Sequence, residues 1–245
     1  MSDKLRQILV IVSTAGVIFV NFMAATGRVN NKTTGELSDK YFTEITPVGY
    51  AFTIWSLIYL GLIAFSIYQA LPSNAENSLF RKIRTVYILN CLANIGWIYA
   101  WHYEFVPLSL LIMLILLGTL VFINLAVIKA DTTAEIFTTK IPFNIYFGWI
   151  TVATILNASI TLVYFGVSFS ETLTSIVGAI LILIAMNLGI IIRFRISSIF
   201  YPLTIAWGIT AIAVKRSGDT IVVVTSAIAV IALLIAAIAG FIKEN

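Results

Sequence analysis

The chain reads as an all-α, polytopic transmembrane helical bundle of about eight spans, and three observations carry that reading. Hydrophobic residues make up 60% of its 245 residues and charged residues 11%, against about 45–50% and about 25% in soluble domains. Mean hydropathy is +1.02, so in water the folded chain would expose apolar patches beyond what a soluble protein tolerates. The apolar residues also come in runs of ~20, the length that crosses a bilayer as a helix. None of the runs shows the alternation of a barrel strand.

Taken in order, the runs cover residues 7–27, 47–70, 84–103, 106–128, 141–165, 171–192, 198–214 and 220–242. Turn residues or charges bound each one, as in Leu71-Pro72-Ser73-Asn74 and Lys215-Arg216-Ser217-Gly218-Asp219. The first run has the basic start (Lys4, Arg6) and the small residues (Ala24, Ala25) of a secretory signal. It is longer than the about 7–15 residues of a signal core, and Asn21 interrupts it, so it is expected to persist as the first span. A long polar loop follows it. The seventh run is the shortest and holds Pro202 and Gly208.

The basic residues set an orientation. With eight spans, the termini and the even-numbered loops share a side that holds Lys4, Arg6, Arg81, Lys82, Arg84, Lys129, Lys140, Arg193, Arg195 and Lys243, ten of the fifteen Lys and Arg. The opposite side holds Arg28, Lys32, Lys40, Lys215 and Arg216, with Glu36, Asp39 and Glu44 among them. The positive-inside rule then places both termini in the cytoplasm, with a prokaryotic inner membrane as the setting. The net charge of +4 reports this topology, and without a clustered basic face no nucleic-acid partner is expected.

The interior offers little to catalysis. The acids lie outside or at the margins of the runs, whereas pumps and ion-coupled carriers need ionisable groups at depth. No phosphate loop, HExxH or paired CxxC occurs, and no metal site is expected. Cys91 is the only cysteine and reads as a small buried residue. His102, the only histidine, ends the third run; it reads as an interfacial anchor, with haem ligation as the sharper alternative. A binding role is favoured over an enzymatic one.

What the interior does hold is amide and aromatic groups in register. The second run carries Phe52, Trp55 and Tyr59; the third Asn90, Asn94, Trp97 and Trp101; the fifth Tyr146, Trp149, Ala153 and Asn157. Spacings of three and four stack each set on one helix face. Three such faces meeting would wall a pocket for a flat, largely apolar ligand with polar edges. Asn side chains also bridge helices, and Trp and Tyr also populate the interfacial belt. Spacing alone leaves both readings open.

The ordered motifs Pro47-x-x-Tyr50-x-Phe52-x-x-Trp55-x-x-x-Tyr59, Asn90-x-x-x-Asn94-x-x-Trp97 and Trp149-x-x-x-Ala153-Thr154-x-Leu156-Asn157 resemble the TspO/MBR family of tryptophan-rich sensory and translocator proteins. The resemblance covers residues ~1–166 and implies a five-helix bundle that binds porphyrins such as haem, or hydrophobic small molecules, in a pocket closed by the first loop. It implies no obligatory cofactor. The chain departs from the family pattern in the position of Pro142, in lacking an acid near Met113, and in lacking a Lys or Arg soon after Tyr164. The last departure leaves sterol binding unsupported.

The expected organisation is therefore a ligand-binding bundle over residues 1–166 and an additional three-helix membrane segment over 167–245. In the latter, Ala229, Ala232, Ala236, Ala237 and Gly240 offer a packing or homodimer surface. The function expected is a sensor, regulator or facilitator that binds a tetrapyrrole or similar molecule, its partners being that ligand and the lipid bilayer. A transporter of hydrophobic molecules and an enzyme acting on porphyrins are the competing classes.

Overall fold

The computed structural model describes residues 2–242; Lys243 and Asn245, which enter the topology argument, lie outside them. Among the described residues the chain forms ten α-helices and no strand. They are α1 (Asp3–Ala25), α2 (Thr34–Lys40), α3 (Ile54–Ala70), α4 (Ser78–His102), α5 (Val106–Val127), the single turn α6 (Thr133–Glu135), α7 (Ile141–Tyr164), α8 (Glu171–Ile196), α9 (Phe200–Lys215) and α10 (Thr220–Ile242). A 3-10 turn, Gly49–Thr53, leads into α3, and a π-helical turn, Ile136–Lys140, joins α6 to α7.

The eight longest helices fall on the eight apolar runs. Six are long and apolar enough to cross a membrane: α1, α3 with its leading turn, α5, the stretch Thr133–Tyr164, α8 and α10. Helix α4 is capped by Asn77, whose side chain accepts from the Leu79 N–H, so its first turns include Arg81, Lys82 and Arg84. Helix α9 has 16 residues, about 24 Å at 1.5 Å per residue, short of the ~30 Å hydrocarbon core.

The helices are inside-out by the standards of water. The buried stripe of α1 is Gln7, Val10, Thr14, Val17, Asn21 and Ala24, while Ile8, Ile11, Val12, Phe19 and Phe22 are exposed. On α10, Val222, Ser226, Ala229, Leu233 and Ala236 face inward, and Val224, Ile228, Ile231 and Ile235 face outward. Polar and small residues inside with branched apolar residues outside suit a lipid solvent, where polar groups must find protein partners. The protein is a multi-pass helical membrane bundle.

Two compact units divide the chain. The first comprises residues up to Leu37 together with Trp55–Phe147; the second comprises Ser38–Ile54 and the residues from Gly148 on. In the first, α4 packs along both α1 and α5. Its Arg84 side chain is fully buried and donates to Gln69 Oε1 (2.9 Å) and to the carbonyls of Ala75, Gln69 and Asn74 (2.8, 3.0 and 2.7 Å). Those carbonyls end α3 and its following turn, where no helical N–H remains to serve them. In the second unit, α10 packs on both α8 and α9. Helix α9 also meets α7 closely: a Cβ at Gly148 would lie 2.8 Å from the Tyr201 carbonyl oxygen, and Thr151 and Tyr201 share a 2.9 Å hydrogen bond between hydroxyls.

Two short elements, α2 and α6, lie outside the apolar runs. Both begin with a Thr-x-x-Glu capping box, in which a hydroxyl and a carboxylate satisfy amide groups the helix leaves open. At α2 the Thr33 N–H donates to Glu36 Oε2 (2.7 Å) and the Glu36 N–H to Thr33 Oγ1 (3.2 Å). At α6 the Glu135 N–H donates to Thr132 Oγ1 (3.1 Å). This second start carries the helix into α7 eight residues before the apolar run begins.

Candidate functional site

In the first unit, α1, α3, α4 and the start of α7 bring amides and rings to one place. Trp55 stacks on Tyr59 one turn later, with ring centroids 5.5 Å apart, and meets Tyr146 edge-on at 5.7 Å. Asn94 Nδ2 donates to the Tyr146 hydroxyl (2.9 Å), and Asn21 Nδ2 donates to Asn94 Oδ1 (2.8 Å). Asn21, Asn94 and Tyr146 are all buried, so this chain of hydrogen bonds ties α1, α4 and α7 where no water competes. One turn beyond Asn94, Trp97 stacks on Trp101 at 5.7 Å with planes only 11° apart, and both are buried. Asn90 lies one turn before Asn94 and donates to Thr119 Oγ1 on α5 (2.8 Å).

The α4–α5 turn closes this unit. Lys32 pairs with Glu104 at 2.6 Å, and Asn30 Nδ2 donates to the His102 carbonyl (2.7 Å). His102 is fully buried, with Nδ1 2.8 Å from the Ile98 carbonyl oxygen. A carbonyl only accepts, so Nδ1 carries the proton and Nε2 presents a lone pair. Nε2 is buried and has no hydrogen-bond partner among the described residues.

The remaining three sequence candidates lie in the second unit. Phe52 meets Trp149 edge-on, centroids 6.0 Å apart. Asn157 is buried two turns further along α7, where its carbonyl accepts from Thr161 Oγ1 (2.7 Å).

The second unit also holds a group of contacts that helical periodicity did not anticipate, the fastening of the segment 38–54. Lys215 pairs with Asp39 at 2.9 Å, and Arg216 pairs with Glu44. The Val48 N–H donates to the Ala211 carbonyl (3.2 Å), and Trp207 Nε1 donates to the Ala51 carbonyl (3.1 Å). Tyr50 meets the Trp207 ring edge-on at 5.3 Å. All of these fasteners come from α9 and the turn that follows it. The signal was present in part: Lys215 and Arg216 fall on the same side of the membrane as Asp39 and Glu44 when spans are counted, but their pairing is not visible in spacing.

Electrostatics at this junction differ by residue. Asp219 is held below the usual carboxylate range by the Ser175 hydroxyl, and further by the Val222 N–H and Arg216. Burial raises Glu44; Arg216 opposes the rise, while Asp219 and Glu171 add to it. Among the described residues no three His, Cys, Asp or Glu side chains come close enough to hold a metal ion.

A family model described as TSPO-like protein matches residues 7–240 of the chain. The match runs through α8, α9 and α10, well past the five spans on which the motifs lie. No curated protein and no solved structure matches the chain.

Proposed function

Because the chain belongs to the TSPO-like family, we propose that it is a membrane-embedded binding protein for a tetrapyrrole or a similar flat, hydrophobic molecule, acting as a sensor, regulator or facilitator. One observation carries this reading: the aromatic and amide cluster of the first unit, in which the half-buried Trp55 and Tyr59 and the buried Tyr146, Asn94, Trp97 and Trp101 gather on three helices. Stacked indoles offer flat faces to a conjugated macrocycle. The amides and the Tyr146 hydroxyl offer hydrogen bonds to its polar edge. Were haem the molecule bound, the buried His102 would be the residue to hold its iron, through Nε2. Asn90 belongs to the same proposal as a further ligand-facing residue of the first unit, and Phe52, Trp149 and Asn157 as ligand-facing residues of the second; so do binding by residues 1–166 alone and cytoplasmic termini in a prokaryotic inner membrane.

Titration of the purified protein with protoporphyrin IX, followed by Trp emission, tests the reading. Saturable quenching beyond that of free tryptophan is expected, with the porphyrin spectrum unchanged in total absorbance. Quenching no greater than the free amino acid's overturns binding. Loss of porphyrin absorbance with a new product would make the protein an enzyme, and counterflow in liposomes would make it a transporter.

A further inference from the structure

The second unit contains a cavity of about 570 Å³ bounded by the loop residues 42–45, the later turns of α7 and the early turns of α8. Phe42, Ile45, Ile155, Leu162, Val177 and Leu181 give it an apolar wall. None of its lining residues belongs to the aromatic and amide cluster of the first unit.

Three hydroxyls on the wall have their protons committed to backbone carbonyls. Thr154 Oγ1 donates to the Ile150 carbonyl (2.7 Å), Ser159 Oγ to that of Ile155 (3.1 Å) and Thr174 Oγ1 to that of Ser170 (2.9 Å). A hydroxyl has one proton, so these three present only lone pairs to the cavity. The one charged residue on the wall is Glu44. It crosses α8 where Gly178 leaves room, since a Cβ there would lie 2.7 Å from Glu44 Cβ. Its carboxylate pairs with Arg216, but Arg216 also pairs with Asp219 at 3.3 Å. Two carboxylates thus share one guanidinium, and the nearby Lys215 is paired with Asp39. The excess charge at this end of the cavity is negative.

We infer that this cavity is a binding site for a lipophilic organic cation, a protonated amine on a compact apolar body. The apolar body fills the space between α7 and α8, and the ammonium donates to the lone pairs of the wall and meets the charge of Glu44. A neutral alcohol of the same shape keeps the burial and loses the charge. A carboxylate meets those lone pairs and the like charge of Glu44, an arrangement that disfavours it. Porphyrin propionates fall in that disfavoured class, which separates this site from the one proposed above.

Three probes with one cage test it: adamantylmethylammonium, adamantylmethanol and adamantanecarboxylate, titrated calorimetrically into the full chain in nanodiscs. The ammonium is expected to bind about tenfold or more tighter than the alcohol, as a charge-assisted hydrogen bond implies, and the carboxylate weakest. Glu44→Gln is expected to bring the ammonium to the affinity of the alcohol. Ala158→Phe fills the cavity from α7 with the Glu44–Arg216 pair intact. It is expected to abolish saturable binding of all three probes while leaving protoporphyrin quenching and the melting temperature unchanged. Equal affinity for the three probes, ammonium binding that survives Ala158→Phe, or no binding of any probe because lipid or detergent holds the cavity, would each overturn the inference.

Discussion

Asn94 ties three helices together and, in the proposed function, also meets the ligand. Its amide donates to Tyr146 and its oxygen accepts from Asn21, so truncation removes the donor to the Tyr146 hydroxyl and leaves Asn21 Nδ2 with the Val17 carbonyl as its acceptor (2.9 Å). Asn124 is its counterpart on α5, donating to the Leu120 and Phe143 carbonyls and accepting from Asn144. Each→Ala substitution is expected to cost about 1–3 kcal/mol of stability, the penalty of unsatisfied buried groups, and thermal unfolding in detergent measures it. Protoporphyrin affinity separates the two. Loss of Asn94 releases Tyr146 and the Trp55 ring that packs on it, so binding should fall about five- to 150-fold, whereas Asn124→Ala should leave it within about twofold of the parent. Equal effects on affinity would make both amides simple bridges between helices. Spacing put Asn94 on the right face but could not name its partners, because Asn21 and Tyr146 lie 73 and 52 residues away.

At the scale of elements, apolar length made the eight long helices legible, since a span needs little more than a run of hydrophobic residues. Helix starts were less legible. Thr33-x-x-Glu36 and Thr132-x-x-Glu135 are capping signatures that lie in polar sequence, where an apolar-run reading does not look. The fastening of segment 38–54 was illegible for another reason, because it joins Asp39 and Glu44 to Lys215 and Arg216 through pairings that no local pattern encodes. That junction has a pH signature. The lowered Asp219 binds fewer protons folded than unfolded, so its contribution is present above the ordinary aspartate range and is lost as pH falls through its folded value. The raised Glu44 has the opposite sign: the folded state binds more protons, and stability falls as pH rises from the ordinary glutamate value to the raised one. Melting temperatures across pH 3–8 (about the range where carboxylates titrate) should show both slopes. Asp219→Asn should flatten the acid limb, and Glu44→Gln the limb above it. An unchanged profile in both variants would mean that the junction does not contribute to folding stability.

For the whole molecule, the question is what the last three helices do. The family match includes them, and the second unit shows α9 and the turn after it holding segment 38–54 through Lys215, Arg216, Trp207 and the Ala211 carbonyl. The cluster of Trp55, Tyr59, Asn94, Trp97, Trp101 and Tyr146, in contrast, is assembled within the first unit, all of it before residue 148. A chain ending at Gly166 removes every one of those fasteners and none of the cluster. It is expected to insert, to quench with protoporphyrin at reduced stability, and to be cut by protease within 38–54 faster than the full chain, because a loop without its hydrogen bonds and ion pairs opens more readily. If all eight long helices span, both ends lie on one side, whereas five spans place them on opposite sides; a reporter fused after Gly166 should then read opposite to one fused after Asn245, the latter cytoplasmic by the distribution of Lys and Arg. A truncated protein that inserts with this topology and stays folded, yet no longer quenches, would show that α8–α10 are needed for binding. Asn187 and Trp207 would then be the next residues to change.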